Sequence, residues 1–157
     1  MPECSVVSRS WSELTTSELY AVLKLRTDVF FVEQKVDEEE LDNRDQEPGT
    51  RHHWIADSSG TVAYLRVLVN DEPEHLDARH IIGRVVVRAD RRGEGLAQQL
   101  MAVALKEFTG APMLLHAQQY VAPLYAKFGF VAFGEPYAEA TIMHISMYRA
   151  ASTAANG

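Results

Sequence analysis

The 157 residues, 46% hydrophobic and 24% charged, suit one soluble domain, and no run approaches the roughly 20 apolar residues that span a bilayer. A net charge of −7 argues against nucleic acid as a partner, because phosphates call for Lys and Arg, and it mildly favours a cationic partner such as an amine. The single cysteine, Cys4, cannot close an internal disulfide, and the N-terminus shows no basic stretch before an apolar run, so a cytoplasmic location is expected.

Thr15 followed by Glu18 reads as a capping box, and Leu19, Val22, Leu23, Arg26, Val29 and Phe30 then recur near helical spacing. A long loop over 36–50 follows. Its carboxylates (Glu38, Glu39, Glu40, Asp42, Asp45 and Glu47) read as a solvated run. Residues 54–57 and 62–69, separated by Ser58, Ser59 and Gly60, read as a hairpin. The run 81–87 is apolar except at Gly83 and Arg84, which predicts a central strand buried on both faces. A second helix begins after Gly95, with Leu96, Leu100, Val103, Ala104 and Phe108 on one stripe and Gly110 at its end. A strand over 113–117, a short helix from Pro123 to Gly129, and strands over 130–133 and 141–148 complete the chain. The order predicts an α/β (mixed α+β) fold, one domain over 1–150 and a frayed tail over 151–157. Repeats are absent.

The most informative stretch runs from Val85, Val86 and Val87 through Arg88, Arg91, Arg92, Gly93, Glu94 and Gly95 to Leu96 and Ala97. A strand ends, a basic turn with two glycines follows, and a helix starts. That order suits an anion, since glycines let backbone N–H groups approach a phosphate and the first N–H groups of a helix point at it. The turn lacks the Lys-Ser/Thr pair of a P-loop and the third glycine of the dinucleotide fingerprint.

This segment resembles the Arg/Gln-x-x-Gly-x-Gly/Ala signature of the GNAT superfamily of acyl-CoA N-acyltransferases, with Arg92, Gly95 and Ala97 in the matching places. A second element, Tyr125 to Phe130, resembles the family's Tyr-x-x-x-Gly-Phe. More widely, 25–34, Arg51-His52, 82–85, Ala117-Gln118 and His144-Ile145 resemble the ElaA-like acetyltransferases. The resemblance implies a central mixed, mostly antiparallel sheet flanked by helices. It implies acetyl-CoA as co-substrate, held along Val85, Val86 and Val87 with its pyrophosphate on Arg92, Gly93, Glu94, Gly95, Leu96 and Ala97, and with Gln118 and Tyr125 nearby. Tyr125 is then expected to protonate the departing thiolate. The amine acceptor is expected near Arg26, Phe30, Glu33, Gln34, His52 and His144. Many members carry a catalytic Glu on the central strand, where this chain has Arg84, so Glu33 and His144 are the candidate bases.

His52 and His53 are neighbours on a strand and point to opposite faces, so no metal site is expected. A non-catalytic coenzyme A-binding sensor, a longer acyl donor and an autoinducer-type acceptor are the alternatives. Acceptor identity and oligomeric state are not legible at this level.

Overall fold

The computed structural model describes residues 5–152, which leaves Cys4 and the last five tail residues outside the described part. A strand, β1 (Val6–Arg9), precedes helix α1 (Thr16–Arg26). The capping box forms: the Glu18 amide donates to the Thr15 hydroxyl at 3.1 Å, and the Thr15 amide donates to the Glu18 carboxylate at 2.9 Å. The helix continues over Thr27–Glu33 as a π-helical segment. Strands β2 (Arg51–Asp57), β3 (Gly60–Val69) and β4 (His80–Val87) follow, then α2 (Leu96–Glu107), β5 (Met113–Gln118), α3 (Ala122–Ala126), β6 (Val131–Glu139) and β7 (Ile142–Arg149). Among the described residues they form one mixed seven-stranded sheet in the order β1-β2-β3-β4-β5-β7-β6, with β4 and β5 parallel and the other neighbours antiparallel.

The core lies on both faces of the sheet because β3 is buried from Thr61 to Leu68. Alternation sends Leu65 and Val67 toward α2, where Leu100, Met101 and Ala104 cover them, and sends Tyr64 toward α1 with Val22, Leu25 and Val29. Leu25, rather than Leu23, is the fully buried leucine of α1.

Two expectations are corrected. Strand β4 is not buried on both faces; only Ile82 and Val86 are fully covered, because its far half lacks a neighbour on the β5 side. The acidic loop is a solvated run only in part: Glu38 and Glu39 are exposed, but Glu40, Asp42 and Asp45 are not free in solvent. Asp45 is buried and accepts from Arg26 at 2.8 Å and from Arg66 at 3.0 Å. Arg66 also pairs with Asp42, and Glu40 receives both Arg26 at 2.6 Å and Arg84 at 3.0 Å. The loop is thereby tied to α1, β3 and β4 at once. Burial alone would raise the Asp45 carboxyl, but the guanidinium groups of Arg26 and Arg66 hold it below its ordinary value.

Asp45→Asn should cost about 3 kcal/mol in urea unfolding, because it leaves buried guanidinium charge uncompensated. Acid sensitivity should come in two windows. His52 and His53 are buried and held below their ordinary value of 6.5, so the unfolded chain binds protons first and stability falls as pH drops below about 6.5. Asp42 and Asp45, also held low, stabilise fully above their ordinary value of 3.8 and lose that contribution as pH falls below it. Urea midpoints at about pH 7.5, 5.5 and 3.5 should therefore decline in that order, and equal midpoints at the first two would contradict the histidine assignment.

Candidate active site

Strands β4 and β5 pair over three residues only, His80 with Met113, Ile81 with Leu114 and Ile82 with Leu115. Beyond Ile82 the two strands part. The β3–β4 register shifts between Tyr64 and Arg66, and Arg84 adopts φ 54°, which marks a bulge at the point of parting. The unpaired edge of β4 borders a cavity of about 1150 Å³.

One half of that cavity is bounded by Val85, Val86 and Val87, by Arg92, Gly93 and Gly95 of the turn, and by Leu96 and Ala97 of α2. Gly93 and Gly95 sit at φ 83° and 79°, where a side chain is strained although a Cβ would meet nothing within 4 Å. The requirement is backbone shape, and the space in front stays open. The first α-helical bond of α2 is Gln99 N–H to the Gly95 carbonyl at 3.1 Å, so the N–H groups of Leu96, Ala97 and Gln98 precede the ladder. Gly95 is the N-cap and, having no side chain, makes no capping bond to these groups. Such an arrangement of backbone donors could receive an anion.

The arginines of the turn are each matched by carboxylates. Arg88 pairs with Asp90 at 2.6 Å, Arg91 with Asp57 and with Glu94 at 2.9 Å, and Arg92 with Glu33 through two bonds of 2.7 and 2.9 Å. Arg92 also donates to the Val87 carbonyl at 3.1 Å. Its charge holds the Glu33 carboxyl below the ordinary value. Tyr125 borders the cavity from α3, yet its ring is in the core, edge-on to Phe130. It packs there with Leu124 and Phe128 beside it. Burial raises its hydroxyl above the ordinary 10, so the phenol keeps its proton throughout the neutral range.

The other half is bounded by Phe30, Gln34, Gln118 and His144. The π-helical segment brings Gln34 across to β5, where its amide and that of Gln118 donate to each other at 3.5 and 2.9 Å. His144 makes a 2.8 Å bond from Nδ1 to the Ile142 carbonyl, which places a proton on Nδ1, and its Nε2 lies 3.9 Å from the Glu139 carboxylate.

Four residues expected at the site lie elsewhere. Arg26 is buried in the ion-pair network and sits 5.5 Å over the Tyr64 ring. His52 is buried between the Tyr64 hydroxyl at 2.6 Å and the Asp45 carbonyl at 3.0 Å. Glu33 and Glu94 face the arginines of the turn and do not border the cavity. Conversely, Glu74, His116 and Tyr137 border it and were missed. His116 carried a readable signal: it shares a strand face with Gln118 in an otherwise apolar segment. Among the described residues no group of three His, Cys, Asp or Glu could hold a metal.

Residues 17–150 match the acetyltransferase (GNAT) domain family. The protein ElaA of Escherichia coli K12 is 39% identical over 145 residues, 88% of this chain and 91% of that protein. A UPF0039 protein of Mycobacterium tuberculosis is 37% identical over 147 residues, 92% of each chain. The crystal structure of an acyl-CoA N-acyltransferase from Pseudomonas aeruginosa superposes with a TM-score of 0.84 at 39% identity, covering 94% of this chain and 100% of that one. With the parted strands, the glycine turn and a full-length match in hand, the chain belongs to the GNAT acyltransferase family, among its ElaA-like members.

Proposed function

We propose that the protein transfers an acetyl group from acetyl-CoA to a primary amine by direct attack in a ternary complex. The parting of β4 from β5 carries this reading. It leaves a strand edge with unpaired peptide groups that an extended, amide-bearing pantetheine arm would satisfy. The edge leads to the turn at Gly93 and Gly95, whose amides suit a pyrophosphate. Bound acetyl-CoA would supply an activated thioester carbonyl. Backbone N–H from the bulged stretch of β4 would polarise that carbonyl at the point of parting.

On the acceptor side, the Nδ1 bond of His144 to the Ile142 carbonyl makes Nε2 the nitrogen that would take a proton as the C–N bond closes. Tyr125, protonated and buried, gives a proton to the leaving sulfur. Solvent exchange between the two groups restores them. Glu33 is a poor base here, since Arg92 stabilises its ionised form. The base assignment therefore moves to His144. Gln34 and Gln118 would orient the acetyl or acceptor amide groups, and Phe30 supplies an apolar wall. One globular domain over 1–150, working in a reducing cytoplasm, fits the lone cysteine and a described structure without a helix long and apolar enough to cross a membrane.

Calorimetric titration with acetyl-CoA should give saturable binding, weakened about tenfold in Arg92→Ala. An unchanged affinity in that variant would remove Arg92 from the cofactor site. Tyr125→Phe should lower turnover about 100-fold while leaving acetyl-CoA affinity within about twofold. Parallel loss of both would remove the acid role.

A further inference from the structure

Glu74 borders the cavity from the β3–β4 loop, and that loop is pinned to the sheet. His75 and Ala78 form a β-bridge, and the Glu74 amide donates to the Ala78 carbonyl at 3.2 Å. The His75 ring stacks on Phe133 of β6 with centres 3.7 Å apart, and Asp77 accepts from the Tyr148 hydroxyl of β7 at 2.5 Å. The carboxylate is oriented by an imidazole rather than by a lysine or arginine. Glu74 Oε2 accepts from His116 Nε2 at 3.2 Å, and His116 Nδ1 lies 2.8 Å from the Ser146 hydroxyl. Among the described residues Glu74 Oε1 has no hydrogen bond.

The arginines that border the cavity are already matched. Asp42, Asp45 and Glu40 bind Arg66 and Arg84, and Glu33 binds Arg92. Glu38, Glu39 and Glu139 also border it, and among the described residues none of their carboxylates pairs with Lys or Arg. A ligand here meets negative charge that the protein leaves uncompensated.

Register sets how far Glu74 stands from the transfer point. Across β5 and β7, Gln118 faces His144 and His116 faces Ser146, so His116 sits two residues along the ladder from His144. Two residues of strand span about 7 Å. An acceptor with its attacking nitrogen at His144 therefore reaches Glu74 with a group about that far along its own chain. Leu68 and Ile81, a cross-strand pair bordering the same cavity, offer apolar surface to the methylenes between.

We propose that the acceptor is a linear aliphatic diamine, whose one amine attacks the thioester while Glu74 holds the other as an ammonium. The assignment rests on the transfer reading above. The attacking amine, unprotonated, forms the C–N bond as the C–S bond breaks. One proton passes from that nitrogen to His144 and one from Tyr125 to sulfur, and the distal ammonium keeps its three. Glu74 Oε1 accepts from that ammonium in a charge-assisted bond, and His116 keeps the carboxylate turned toward it.

The test follows thiol release at saturating acetyl-CoA with cadaverine and with n-pentylamine, which has the same carbon chain and no second charge. Wild type should favour cadaverine about fivefold or more in kcat/KM, chiefly through KM. Glu74→Gln should bring that ratio toward unity with melting temperature and acetyl-CoA affinity kept. Glu74→Lys should favour δ-aminovalerate, whose far end is a carboxylate, over cadaverine. Salt gives a readout that needs no variant: added KCl should erode the wild-type preference. Equal use of the two amines by wild type, a preference that survives in Glu74→Gln, or a ratio indifferent to salt overturns the diamine assignment and leaves the transfer reading standing. Transfer to neither amine, with or without acetyl-CoA binding, overturns both.

Discussion

Three residue pairs hold β4 to β5, and the rest of the site follows from where that pairing stops. A parallel pair carried one turn further would close the cavity and satisfy the peptide groups that face it. The bulge at Arg84 prevents this by rotating the end of β4 away from the ladder. Both faces of the sheet are still needed to tolerate the break. On one face α2 packs across β3 and β4 through Leu100, Met101 and Ala104. On the other, the Arg26–Asp45–Arg66 cluster fastens the loop over 36–50 beside the same strands. The gap thus opens inside a braced sheet.

The brace is polar, which sets its character. A buried guanidinium is tolerated only where carboxylates and carbonyls meet it, and Arg26, Arg66 and Arg84 share Glu40, Asp42 and Asp45 among them. Shared partners fix the loop in one register more sharply than an apolar contact would. His52 belongs to this brace: its two ring nitrogens join Tyr64 to the loop backbone.

Much of the architecture was legible because it rests on short-range rules. The capping box at Thr15 and Glu18, the hairpin about Ser58, Ser59 and Gly60 and the glycine turn before α2 each depend on residues a few positions apart. Longer-range features were not. Glu40 and Asp45 look like surface residues until arginines 14 to 44 positions away are folded against them. β1, four residues without a buried position, owes its existence to pairing with β2. β6 runs on through Gly134 and Pro136, which read as breakers, because an edge strand needs only one bonded neighbour. In the site, motif residues around Val85–Ala97 were recoverable one by one. The wall made by Glu74, His116 and Tyr137 comes from three separate elements and has no linear signature.

The matching of each turn arginine by a carboxylate has a kinetic consequence. Arg88, Arg91 and Arg92 stand against Asp90, Asp57, Glu94 and Glu33, so this end of the protein projects little positive potential into solution. A polyanion approaching it is not drawn in from a distance, and its capture rate depends weakly on ionic strength. Attraction sets in only at contact, from peptide dipoles whose spacing is set by the backbone. Free phosphate, nucleotides and RNA in the surrounding medium gain nothing at long range, and discrimination is left to the shape of the cradle.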